Sequence, residues 1–151
     1  MNYWLMKTEP DAYSFDDLKN EKNQTDHWDG IRNYAARIHI RNMAVGDLAF
    51  FYHSQVNPPA IVGIVKIVRA AYTDHTQFDT SEKYYDAKSD PDNPKWDMVD
   101  VQYHQDIDPP ISLKQIKETP GLENMALIRI SRLSVSPVTA DEWNIIMALN
   151  K

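Results

Sequence analysis

The 151-residue chain predicts an α+β fold, a curved sheet or pseudo-barrel with helices packed around it. Two observations carry that expectation. The predicted elements run strand, helix, helix, several strands, helix, strand, helix, so strands neither alternate regularly with helices nor stand apart from them. Two β-rich apolar runs, Leu48 to Tyr52 and Ala60 to Val68, are separated only by a loop holding Pro58 and Pro59. No Gly/Ser linker, internal repeat or composition break divides the chain, and residues 1–151 are expected to form a single domain.

Each element has a local reason. Tyr3 to Lys7 reads as a short strand, ended where Pro10 removes a donor and holds Glu9 extended. Ser14 caps a short helix through Leu18, with Asp16 and Asp17 placed to favour its positive end. From Ile31 to Met43 the spacing of Ile31, Tyr34, Ala35 and Ile38 predicts a helix burying that stripe, with Arg32, Arg37 and Arg41 off it. Gly46-Asp47 is a turn. Trp96 to His104 alternates in its second half, Val99, Val101 and Tyr103 against Asp100, Gln102 and His104. Ser112 with Gln115 opens a helix that Pro120 stops, and Thr139 with Glu142 opens a terminal helix presenting Trp143, Ile146, Met147 and Leu149. Between them Ala126 to Val135 reads as a strand. The polar stretch from Thr73 to Lys95 reads as a lid or binding loop.

Composition then removes whole classes of function. Apolar residues make up 42% and charged residues 25%, near globular averages, so disorder is not expected. The absence of cysteine excludes disulfides, thiolate zinc sites, cysteine nucleophiles and the zinc-deaminase signature. No run reaches the roughly 20 apolar residues of a membrane span and the first residues lack a signal-peptide pattern, so a cytoplasmic location is expected. His27, His39, His53, His75 and His104 form no i, i+4 pair, and the four glycines form no phosphate loop. Neither a metal nor a cofactor is expected.

The net charge of −6 argues against indiscriminate coating of DNA, but it is unevenly spread. Between Asp29 and Asp47 there is no acid, and Arg32, Arg37 and Arg41 give that segment +3. From Thr73 to Lys95 the balance is −3. Aromatic residues gather in polar surroundings: Tyr3-Trp4, His27-Trp28, Phe50 to His53, and Lys83-Tyr84-Tyr85 followed by Trp96. Unpaired bases are recognised by stacking on such faces and by hydrogen bonds to their edges. Stacking contributes about 1–3 kcal/mol per base, enough for an acidic protein to bind without a broad basic surface.

The run Tyr3-Trp4-Leu5-Met6-Lys7-Thr8-Glu9-Pro10 resembles the opening of EVE-domain proteins. Trp28-Asp29-Gly30-Ile31-Arg32-Asn33-Tyr34, Phe51-Tyr52-His53-Ser54, Asn93-Pro94-Lys95-Trp96 and the closing Glu142-Trp143 continue that likeness over nearly the whole chain. The resemblance is to a stand-alone bacterial-type member. It implies a PUA-like fold and a non-catalytic reader of a modified base, with methylated or hydroxymethylated cytosine in DNA the best-known ligands of the family and RNA an open alternative. Carried onto this chain, it implies a base pocket of Glu9, Trp28, Asn33, Tyr52, His53, Ser54 and Trp96. Lys7, Arg32 and Arg37 would meet phosphates. Two other readings compete: an enzyme acting on nucleic acid or nucleotides with His53 or a carboxylate (Glu9, Asp29) as general base, and an interaction module whose acidic 73–95 segment meets a basic protein.

Overall fold

The computed structural model describes residues 1–150. Six strands, β1 (Tyr3–Thr8), β2 (Thr25–Trp28), β3 (Leu48–His53), β4 (Ala60–Thr73), β5 (Asp97–Ser112) and β6 (Val135–Val138), form one sheet in the order β2-β5-β4-β3-β1-β6. Only β1 and β3 pair in parallel, Tyr3 opposite Leu48 through Thr8 opposite His53; the other pairings are antiparallel. Because the edge strands β2 and β6 do not pair with each other, the sheet is open. Register shifts within β4 and β5 mark β-bulges, the device by which long strands bend and twist. Five helices pack around it: α1 (Phe15–Lys19), α2 (Tyr34–Asn42), α3 (Leu113–Lys117), α4 (Ala126–Arg129) and α5 (Ala140–Leu149). This is the expected α+β, PUA-like architecture.

The central strands are apolar without interruption because both sheet faces are covered. Trp4, Met6, Ala49 and Phe51 point to one core with Phe15, Ala36 and Ile40 from α1 and α2. Leu5, Phe50 and Tyr52 point to the other, with Ile116 from α3, Leu127 from α4 and Trp143 and Ile146 from α5. Period-two alternation sends successive residues to opposite faces, so a strand buried on both sides needs apolar residues throughout. At Gly63 a Cβ would sit 2.1 Å from the Phe15 ring, so this position admits α1 only as glycine. Among the described residues no helix is long and apolar enough to cross a membrane.

Two expectations are corrected. Ala126 to Val135 is not one strand: Ala126–Arg129 is a helical turn, Leu133 is buried, and the strand begins at Val135. The apolar stripe of α2 is displaced. Ala36 and Ile40 are fully buried, whereas Tyr34 and Ile38 are 54% and 55% exposed. The reason is where the helix starts: Asn33, not a residue before Ile31, is the N-cap, so Ile31 belongs to the preceding loop and cannot set the helical phase. The 73–95 segment, read as a lid or binding loop, is anchored at its base. Asp74 and Gln77 are fully buried, and the Gln77 amide donates to the Asp74 and Trp96 carbonyls.

Candidate nucleic-acid interface

Parallel pairing puts the carboxyl ends of β1 and β3 at one edge of the sheet, where loops from parallel strands commonly form ligand crevices. There the Ser54 N–H donates to the Thr8 carbonyl at 2.9 Å and binds the two loops together. A cleft of ≈ 830 Å³ opens at this edge. Lys7 and Glu9 line it from the end of β1, Asp26 to Ile31 from β2 and the following loop, Ser54 from β3, and Lys83 and Tyr84 from the 73–95 segment. Ser131 and Arg132, before β6, close the ring.

Its aromatic walls are held differently. Trp28 is 8% exposed and stands edge-on to Phe51, ring centroids 5.4 Å apart, so it is a rigid part of the core that reaches the cleft. Tyr84 lies against Gly30, whose φ of +79° favours glycine and where a Cβ would approach the tyrosine ring to 2.6 Å. Arg32 anchors that contact. Its Nε and Nη2 donate to the Tyr84 carbonyl at 2.9 and 2.8 Å, and its Nη1 donates to Asp74 Oδ2 at 2.9 Å. The Gly30 N–H donates to the same Asp74 oxygen. One buried carboxylate thus ties together both sides of the Gly30–Tyr84 contact.

Electrostatically the cleft is mixed. The Lys7 ammonium donates to the Ser131 carbonyl at 2.7 Å, and burial pulls its pKa below the ordinary lysine value. Burial pushes the Asp29 carboxyl up, partly offset by His27, whose Nε2 stands 3.6 Å away. The Tyr13 phenol is pushed well above its ordinary value by burial and then by Asp26. Among the described residues no cluster of three or more His, Asp or Glu could hold a metal ion.

Of the residues singled out in the sequence, Lys7, Glu9, Trp28 and Ser54 line the cleft. The others have different positions. Asn33 accepts the Ala36 N–H and caps α2. Tyr52 is buried in the opposite core. His53 accepts the Phe15 N–H on Nε2, and burial lowers its pKa. That leaves the nitrogen no lone pair for general-base work. Trp96 is 5% exposed, with its indole N–H donating to Asp86 at 2.7 Å. Arg32 is spent on Tyr84 and Asp74, and Arg37 donates to the Lys95 carbonyl at 2.9 Å. Sequence reasoning overlooked Tyr13, Lys83, Tyr84, Asp29 as a wall residue, and Arg132. Lys83-Tyr84 already stood among the aromatic clusters; a glycine needing a flat partner was the signal linking it to Gly30.

The model of the EVE domain family matches residues 2–149. Thymocyte nuclear protein 1 of Mus musculus is 45% identical, over 99% of this chain and 74% of the relative. The crystal structure of human THYN1 protein in complex with 5-methylcytosine-containing DNA superposes with a TM-score of 0.97 at 41% identity, covering 100% of this chain and 98% of that one. A Pseudomonas syringae protein of known structure gives 0.93 at 43% identity, covering 99% of each chain. With the match spanning nearly every residue, this chain belongs to the EVE domain family.

Proposed function

We propose that the protein is a non-catalytic nucleic-acid-binding module that takes a modified cytosine, methylated or hydroxymethylated, into the cleft at the ends of β1 and β3. The observation that carries this reading is the cleft's composition: a rigid aromatic wall shares one cleft with carboxylates, hydroxyls and cations. The human THYN1 complex with 5-methylcytosine-containing DNA supports it by kinship. Trp28 and Tyr84 supply apolar faces for the ring and its 5-substituent. Glu9 and Asp29 offer acceptors for the cytosine N4 amino group, the donor that marks this base. Ser54 and Lys7 offer donors for its O2 and N3. Lys83 and Arg132 are exposed at the rim and suit phosphates, whereas Arg32 serves by holding Tyr84.

Binding of fluorescent oligonucleotides carrying one cytosine, 5-methylcytosine or 5-hydroxymethylcytosine, as DNA and as RNA, tests the proposal. The wild type is expected to prefer a modified base. Tyr84→Ala is expected to lose about 5- to 100-fold in affinity, the equivalent of one stacked base. Equal binding to all three bases in both polymers would end it. A second reading rests on the raised Asp29 carboxyl beside His27: catalysis with Asp29 as general base. Release of altered base or strand over hours, abolished in Asp29→Asn, would favour that reading instead.

A further inference from the structure

The outward face of α2 carries Tyr34, Arg37, Ile38 and Arg41 at positions i, i+3, i+4 and i+7, which share one side of a helix. Large apolar side chains on this face are uncovered: Tyr34 is 54% and Ile38 55% exposed. No acid lies between Asp29 and Asp47. Arg41 pairs with Asp97, while Arg37 has no carboxylate partner among the described residues.

The Tyr34 ring is only partly covered. The Arg37 guanidinium lies 4.7 Å from its centroid and the Trp96 ring 5.1 Å, tilted by 32°. Placed on opposite faces, these two would stand about 10 Å apart, as in a cation–ring–ring sandwich. They are 5.9 Å apart, so they subtend an angle of about 74° at Tyr34, and the residue remains 54% exposed beside them.

A continuous ladder of cations and rings joins this face to the cleft. Lys83 stands over Tyr84 at 5.4 Å, Arg32 over Tyr84 at 5.7 Å and over Trp96 at 5.8 Å, and Trp96 meets Tyr34. From Tyr84 to Tyr34 this path is at most about 17 Å, or about five nucleotide steps of 3.4 Å.

From this we infer that the exposed face of α2 is a second nucleic-acid contact. Tyr34 stacks a nucleotide flanking the one held in the cleft, and Arg37 contacts its phosphate. The inference rests on the nucleic-acid reading of the cleft for its continuity. A ring beside the Arg37 guanidinium, with Asp97 already paired to Arg41, fits a base with its phosphate; an acidic peptide is the rival occupant.

The test pairs two variants with two lengths of DNA, each containing a single 5-methylcytosine. Tyr34→Ala removes the platform, and Ile38→Glu, at an exposed site, puts an acid on the face while leaving Tyr34 in place. On DNA extending eight nucleotides to either side of the modified base, both variants are expected to bind about 5- to 100-fold more weakly than wild type, and Tyr34→Phe like wild type. Preference for the methylated base is expected to persist in all of them. On DNA trimmed to one flanking nucleotide the variants and wild type should bind alike. Wild-type affinity of both variants on long DNA would overturn the inference and leave the cleft reading intact. Loss of methyl preference in wild type, with a Tyr34 effect on long DNA retained, would sink the cleft reading alone. If poly-glutamate displaces long DNA from wild type at equal charge concentration and binds Tyr34→Ala poorly, the face belongs to an acidic peptide and the inference fails.

Discussion

Asp47 and Asp29 are carboxyls of the same type that their surroundings push in opposite directions. Asp47 is 3% exposed, and burial by itself would raise its pKa, but it accepts hydrogen bonds from the Ala44 N–H, the Trp4 indole and the Asn2 N–H, and the sum is a lowered pKa. Asp29 has no such set of donors; burial dominates and raises it. The signs of their contributions to stability therefore differ. Asp47 stabilises the fold at pH above the unfolded carboxylate value of about 3.9, and that stability disappears as pH falls through its lower folded value. Asp47→Asn should destabilise by about 1–3 kcal/mol at pH 7, because the carboxamide cannot accept all three donors, and the difference from wild type should shrink in strong acid. For Asp29 the folded pKa lies above the unfolded one, so its ionised form opposes folding at neutral pH and ceases to do so below about pH 3.9. Asp29→Asn should therefore melt higher than wild type at pH 7 and bind the modified oligonucleotide more weakly. A melting curve series from pH 3 to 8, beside one binding titration, checks both halves; a lower melting point at pH 7 would contradict the burial argument.

At the scale of elements, the tie from Asp74 to Gly30 and Arg32 connects the 73–95 segment to the loop after β2. Asp74 is fully buried, and besides these two it accepts bonds from the Thr76 N–H and hydroxyl. Asp74→Ala leaves a half-buried guanidinium facing a void and should destabilise by about 3–5 kcal/mol in chemical denaturation. Gly30→Ala acts on the same contact through backbone strain and the Tyr84 ring. It should destabilise by about 1–3 kcal/mol and also weaken base binding, since the ring must move to admit the methyl group. The same elements show what the sequence could and could not tell. The caps at Ser14, Ser112 and Thr139 form as their residue types demand, because caps are local chemistry, and Thr139–Glu142 closes as a reciprocal box whereas Ser112 only accepts the Gln115 N–H. β2 escaped notice because Thr25, Asp26 and His27 carry no apolar signal; they become a strand only because β5 offers them a partner. Ala126 to Val135 alternates like a strand, yet Met125, Leu127 and Leu133 are drawn into two different cores. Among the residues lining the cleft, Lys7, Glu9, Trp28 and Ser54 follow from the family resemblance of the segments that hold them. Tyr84 does not, because only the long-range bonds of Arg32 and Asp74 bring it to Gly30.

For the whole molecule, the decisive quantity is how its charge is arranged rather than its total. A chain of net −6 repels a polyanion at long range, and the segment between Asp29 and Asp47 offsets this only locally. Within that segment Arg32 is committed to Asp74 and Arg41 to Asp97, leaving Arg37 as its cation without a carboxylate partner among the described residues. Around the cleft Lys83 and Arg132 are exposed, and Lys7 is engaged with Ser131. Few cations are therefore available to displace counterions, of the order of two to four rather than the six to ten of proteins that grip duplex DNA through its backbone. The logarithm of the binding constant should fall with the logarithm of salt concentration with a slope of about −2 to −4 on duplex DNA, at about −0.9 per phosphate neutralised. Arg37→Gln should make that slope shallower by about 0.9, for methylated and unmethylated DNA alike, because a phosphate contact carries no base information. Tyr84→Ala should do the reverse, reducing preference for the modified base while leaving the salt slope unchanged. Titrations at four salt concentrations on both DNAs separate these effects. A slope steeper than about −6 would mean that the protein coats the backbone through a basic surface, contrary to the way its cations are tied up in the fold.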